Sequence, residues 1–270
     1  DTPVRNLGWS GFGPLEYAAV MEQYGGAGHE WVLVMYFEGN ELSNIHTSYE
    51  QAGGSYVPLN LNRSIGAPIT DVRSLEQYSD ITLDPNNNYL YPLTHTRPDG
   101  STFEMAYISD YLWWLNGAEA TYRDSRNISE LDAALTRIKA AAGDACVALV
   151  YAPTKEHVYF PHADAEGNRK YVLENALTLT PGADGWLTFG EVHPVEWATI
   201  EKRLDHQRNV VRETATGAGL VFIDLLPALQ TAAAEAHDLA YYPYDSHWSQ
   251  IGHQIAGNTI ATYLQANPCR

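Results

Sequence analysis

Three uninterrupted apolar runs of strand length, Trp31 to Phe37, Cys146 to Tyr151 and Leu220 to Ile223, constrain this chain more than any other feature. A strand that is apolar at every position has no face to offer to water, so it belongs in a parallel sheet covered by helices on both sides. Helical stretches precede the runs, and this alternation predicts a doubly wound α/β sheet in three layers. With 270 residues, 45% of them hydrophobic, the chain can bury a full core, and no linker divides it. We read residues 1–270 as one domain. Two stretches, about 41–110 and 157–190, are rich in turn formers, hold no sustained period, and read as insertions.

Helices are expected over about 111–142 and 194–216. Leu15 to Tyr24 reads as another, with Pro14 suited to its first turn and Gly25-Gly26 ending it. The last is the clearest, because Trp248, Ile251, Ile255, Thr259 and Tyr263 recur at helical spacing. Acidic residues outnumber basic ones by 33 to 16, giving a net charge of −17. Such a surface repels phosphate backbones and anionic lipid, which excludes nucleic acid as a partner. The two cysteines, Cys146 in an apolar run and Cys269 beside the last residue, make no disulfide framework and leave the redox compartment open. No apolar stretch reaches the roughly 18 residues of a membrane span. The sequons Asn62-Arg-Ser64 and Asn127-Ile-Ser129 matter only in a eukaryotic secretory route.

Three short segments carry candidate chemistry. In Asp245-Ser-His247-Trp248, residues two apart in an extended loop share a side, so Asp245 can hold the His247 ring and leave its other nitrogen as a base. Asn40, in Phe37-Glu-Gly39-Asn40-Glu41, follows a buried strand, where α/β sheets bind ligands and a side-chain amide can donate to an oxyanion. A plain Gly-Asn turn has the same composition. The loop from Gly8 to Gly13 lets backbone N–H groups approach a ligand at a helix N-terminus. No structural-zinc spacing occurs. Metal binding by Asp245, His247 and His253, or by His157 and His162, is the weaker alternative, so neither metal nor cofactor is expected.

In their order, Asn6-Leu-Gly-Trp-Ser-Gly11-Phe-Gly-Pro14, Glu38-Gly39-Asn40-Glu41 and Asp245-x-His247-Trp248 with Gly252-His253 resemble the sequence blocks of SGNH (GDSL-type) hydrolases. The similarity is closest to larger bacterial members with insertions, and Val150-Tyr-Ala-Pro153-Thr-Lys155-Glu-His-Val-Tyr159 shares it. The resemblance implies a flavodoxin-like fold, with His247 as base, Asp245 as its orienting partner, and the Gly11 N–H and Asn40 side chain as oxyanion-hole donors. Two departures stand out. Glu41 replaces the usual Asp after Asn40. The first block, Gly-Asp-Ser at the end of a first strand, is expected upstream of Asp1 together with that strand. Ser10 is a poor substitute, because Phe12 occupies the last place of a Gly-x-Ser-x-Gly elbow, and Ser246 and Ser249 read as capping residues.

The resemblance implies a serine ester hydrolase or O-acyl transferase acting on acylated carbohydrate or small esters. The alternative is a non-catalytic SGNH-like domain that binds or builds within a larger assembly. With that first strand missing, the chain is expected either to be completed by a companion N-terminal segment or partner subunit, or to pair its strands differently. Relatives of this layout imply a periplasmic or extracellular site, membrane-tethered through an N-terminal segment.

Overall fold

A computed structural model of the chain describes residues 4–8, 11–25, 28–51, 90–97, 99–168, 175–235 and 239–269. The three apolar runs form the strands β1 (Trp31–Phe37), β4 (Cys146–Ala152) and β7 (Val221–Asp224), and they build a parallel sheet in the order β1-β4-β7. The register runs from Trp31 opposite Cys146 to Phe37 opposite Ala152, and from Ala148 opposite Val221 to Tyr151 opposite Asp224.

β4 is the central strand and is apolar on both faces. Its Val147, Leu149 and Tyr151 enter one core with α1 (Pro14–Tyr24), α2 (Glu41–Gln51), α5 (Arg126–Ala141) and α8 (His206–Gly217). Its Ala148, Val150 and Ala152 enter the other, with α3 (Ser109–Leu115), α6 (Lys155–Tyr159), α7 (Trp197–Arg203), α9 (Leu226–Glu235) and α10 (Gln250–Ala266). A short helix, α4 (Glu119–Arg123), precedes α5. The three expected layers are therefore present. Full burial of Leu149 and Val150 shows why the run has no polar position, since either face would bury an unpaired polar group.

β1 departs from the expectation. Among the described residues it is an edge strand, and although Val34 and Tyr36 are buried, Leu33 and Met35 are 39% and 41% exposed. Its apolar alternation thus fills one core and leaves the middle of the other face open beside β4.

The first expected insertion contains α2 and an antiparallel hairpin of β2 (Leu90–Thr96) and β3 (Thr102–Ile108). The second contains the end of α6, a 3-10 turn at Phe160–His162 and the hairpin of β5 (Leu177–Pro181) and β6 (Leu187–Val192). Asn127 is fully buried, donating to the Leu42 carbonyl at 2.7 Å and accepting from Leu187 N–H at 2.8 Å, so its sequon is closed to a glycan. Asn62 lies outside the described residues. Ser249 caps α10 through Ile251 and Gly252, as expected, whereas Trp248 bridges to Tyr241 before the helix and Ser246 caps nothing.

The cysteines correct the sequence reading. Cys146 and Cys269 form a disulfide with their Cα atoms 5.7 Å apart, which fastens the chain after α10 to the start of the central strand. Their separation of 123 residues hides the pairing from local inspection. Closing so long a loop restricts the unfolded chain, so replacing both cysteines by serine should lower the unfolding free energy by about 2–5 kcal/mol. Urea unfolding of the variant beside the native chain measures this, and equal midpoints would show that the two sulfurs are not joined in solution.

Candidate active site

The carboxyl end of β4 organises the site. After Ala152 the chain turns at Pro153-Thr154, where the Thr154 hydroxyl accepts from the His157 N–H at 3.2 Å and caps α6. The next three residues, Lys155, Glu156 and His157, are all charged or titratable and all buried. Burying such groups is tolerated only with partners, and each finds one on a different segment.

His157 reaches the block that carries Asn40. Its Nδ1 lies 2.7 Å from Glu38 Oε1, and its Nε2 lies 3.5 Å from Asp205. Glu38 also accepts from the Tyr151 hydroxyl, from Thr154 N–H at 2.9 Å and from the Thr154 hydroxyl at 3.2 Å. Its own carbonyl accepts from Gln207 at 2.9 Å. Burial disfavours a charged His157 ring, but the Glu38 carboxylate and the contact with Asp205 outweigh it and raise the imidazole to about 9. The hydrogen bond from His157 in turn holds Asp205 down at about 2. Glu38 is thereby fixed at the end of β1, and with it the turn Glu38-Gly39-Asn40. Gly39 is required there, because a Cβ would lie 2.7 Å from the Phe37 ring and 3.0 Å from Tyr111.

Asn40 leads into α2, its carbonyl accepting from Asn44 N–H at 2.7 Å. Among the described residues none hydrogen-bonds its side-chain amide, and the residue is half-buried. Glu41, in the first turn of α2, lies 2.8 Å from the Tyr17 hydroxyl, and burial pushes its carboxyl up to about 8. That hydroxyl is also 3.0 Å from the Phe12 carbonyl, and a Cβ on Gly13 would lie 2.8 Å from Asn44 Cβ. The glycine loop therefore packs against the start of α2. Gly11 has φ +81° and is exposed, a backbone that favours glycine.

Lys155 reaches the third block. Its Nζ donates to the carbonyls of Tyr242, Pro243 and Asp245 at 3.2, 3.1 and 2.9 Å. Burial draws the ammonium down to about 8, against the pull of Glu156 and Asp245. Asp245 Oδ1 accepts from the His247 N–H at 2.7 Å and bonds the ring at Nδ1. The ring is 79% exposed and Asp245 19%, so Nε2 faces solvent.

Glu156 reaches β3, accepting from Ile108 N–H at 2.7 Å just before α3. Burial raises its carboxyl to about 7, restrained by Lys155. Tyr111, on α3, stands between the blocks. Its ring meets Phe37 edge-on at 5.5 Å, and burial, then the charges of Glu156, Asp110, Asp245 and Glu41, push its phenol up to about 12. One ring thus senses carboxylates from both the Asn40 and the His247 segments.

The Asn40 and His247 segments therefore lie at the same, carboxyl end of the parallel sheet, where such sheets bind ligands. Asp245 and His247 are joined directly, and Gly11 enters through the loop that packs on α2. Ser10 lies outside the described residues. The metal alternatives fare poorly: both ring nitrogens of His157 face carboxylates, and His253 is exposed on α10, edge-on to Trp248 at 5.5 Å. Sequence reasoning assigns no role to Lys155, Glu156, Glu38 or Tyr111. A signal exists, since three charged or titratable residues between an apolar strand and Val158-Tyr159-Phe160 can hardly avoid burial.

Comparison with known proteins now bears on this geometry. The family described as SGNH hydrolase-like domain, acetyltransferase AlgX, matches residues 196–269. That segment of the chain is similar to an SGNH hydrolase-like domain. The match takes in α7 to α10 and with them Asp245 and His247, while the Gly11 and Asn40 blocks lie before it. No curated protein and no solved structure matches the chain.

The buried ion pair has a testable pH signature. An imidazole raised from its ordinary 6.5 to about 9 contributes stability that is complete below about pH 6.5 and lost as pH rises through 9. The stability difference between the native chain and His157→Gln should therefore be largest at acid to neutral pH and shrink toward pH 9. Urea titrations at several pH values measure it. A difference that grows with pH would contradict a charged His157.

Proposed function

We propose that this domain transfers acyl groups by SGNH chemistry, as an ester hydrolase or an O-acyl transferase. The observation that carries the reading is the Asp245–His247 pair, whose ring is held at Nδ1 and open to solvent at Nε2. In that reading a serine hydroxyl attacks the acyl carbonyl and gives its proton to His247 Nε2, while Asp245 stabilises the imidazolium. The oxyanion accepts from the Gly11 N–H and the Asn40 amide. Collapse expels the alcohol, protonated by His247. Water then releases the acid, or a sugar hydroxyl takes the acyl group.

We place the serine, as the resemblance implies, on a segment outside residues 1–270. Among the described residues β1 is an edge strand, which supports the pairing of such a segment, or of a partner's strand, beside it. Acylated carbohydrate is the favoured substrate class. The acetyltransferase in the matching family's description supports acyl transfer, and 18 Tyr and 7 Trp offer stacking surfaces for sugars. The disulfide supports an oxidising compartment, periplasmic or extracellular. Among the described residues no helix is long and apolar enough to cross a membrane.

A second reading, a non-catalytic binding domain, draws on one observation: among the described residues no hydroxyl is hydrogen-bonded to His247. One assay separates the two. With a chromogenic acetate, residues 1–270 alone should stay at background and the chain extended upstream should turn over. In the extended chain Asn40→Ala should lower kcat by about 10² to 10³, and His247→Ala by more. An inactive extended chain favours the binding domain, and full activity in both variants would remove these residues from the chemistry.

A further inference from the structure

We propose that Lys155 is the positioning residue of the Asp245–His247 pair, fixing the loop that carries it by binding three of its carbonyls at one point. The proposal stands on geometry, and only its catalytic consequence rests on the acyl-transfer reading. Tyr242, Pro243 and Asp245 all turn their carbonyls to Nζ, within 3.2 Å. Three converging carbonyl dipoles repel one another unless a cation sits between them, and an ammonium supplies three donors from one atom.

Other bonds hold the base of the loop. Ser249 N–H donates to the Ala240 carbonyl at 2.9 Å, Ala106 N–H to that of Pro243 at 2.8 Å, and the Tyr241 hydroxyl to that of Pro153 at 2.6 Å. Lys155, at the start of α6, reaches the carbonyl of Asp245 itself. Binding the Asp245 carbonyl orients that residue's backbone, and its carboxylate is left to hold the His247 N–H and ring. The charged and titratable groups that face the ammonium are Glu156 on α6, the Asp245 carboxylate and, from β2, His95, whose ring burial and then His162 and Lys155 hold down near 4.

The test reads the pair itself, in the full-length protein labelled with ¹⁵N. The ring-nitrogen resonances of His247, identified by their loss in His247→Gln, should shift on Asp245→Asn, because that substitution removes the carboxylate at Nδ1. In Lys155→Met the same substitution should produce no further shift, with the fold retained by circular dichroism. If Lys155→Met does not fold, the protein with Lys155 intact serves in its place. Raising the pH through about 8, where the buried ammonium loses its proton, should then abolish the difference between the His247 resonances of the native protein and those of Asp245→Asn.

A difference that persists in folded Lys155→Met, or up to pH 10 when that variant is unfolded, overturns the proposal. None of these readings needs turnover. If the extended chain is inactive yet the resonances behave as expected, the positioning role stands and the acyl-transfer reading falls. If it is active, Lys155→Met should lower kcat by about 10² with KM little changed, the effect of a displaced base.

Discussion

Three buried groups in a row, Lys155, Glu156 and His157, hold the functional end of this molecule together. They follow β4, which among the described residues is the strand buried on both faces, so their backbone is fixed by the sheet before their side chains are. Each is too polar to be buried alone, and each is bound by a separate part of the chain: the loop at 242–245, the amide of Ile108, and Glu38. The energetic demand of burying charge becomes a positional constraint. Segments far apart in sequence are drawn to one end of the sheet because these buried groups need partners there.

The rest of the fold supports that end from behind. β4 carries Val147, Leu149 and Tyr151 into one core and Ala148, Val150 and Ala152 into the other, so neither helical layer can slide without disturbing the strand that leads to Thr154. The disulfide at its opposite end ties in the chain that follows α10. Ser249, the cap of α10, comes two residues after His247. The loop bearing His247 is thus anchored by Lys155 at the carboxyl end of β4, while the helix that follows it is fastened at the amino end of the same strand. His247 itself remains exposed.

Much of this is legible in the residues. Uniform apolarity marks β1, β4 and β7 as strands of one parallel sheet, and the order of the Gly11, Asn40 and Asp245-x-His247 segments resembles that of one superfamily. Asp245 and His247 are readable as a pair because their contact is local, two residues apart. What escapes reading is everything set by long-range packing. The sequence of β1 is as apolar as that of β4, yet Leu33 and Met35 are exposed, because exposure depends on what lies beside a strand and not on the strand. The pairing of Cys146 with Cys269 depends on where α10 ends over the sheet. Lys155 and Glu156 look like ordinary surface charges, and only the apolar residues on both sides of them hint that they are not. Asn127 forms a sequon in sequence and a buried bridge between Leu42 and Leu187 in the fold.

The central claim is that the Asp245–His247 pair serves an acyl-transfer site completed by a serine from outside residues 1–270. It is tested most directly by treating the full-length protein with a fluorophosphonate, which bonds to activated serines, and locating the adduct by mass spectrometry. The account predicts one modified serine, upstream of Asp1, and loss of the modification in His247→Ala. An adduct on Ser10, or labelling of an upstream serine that does not depend on His247, would contradict it.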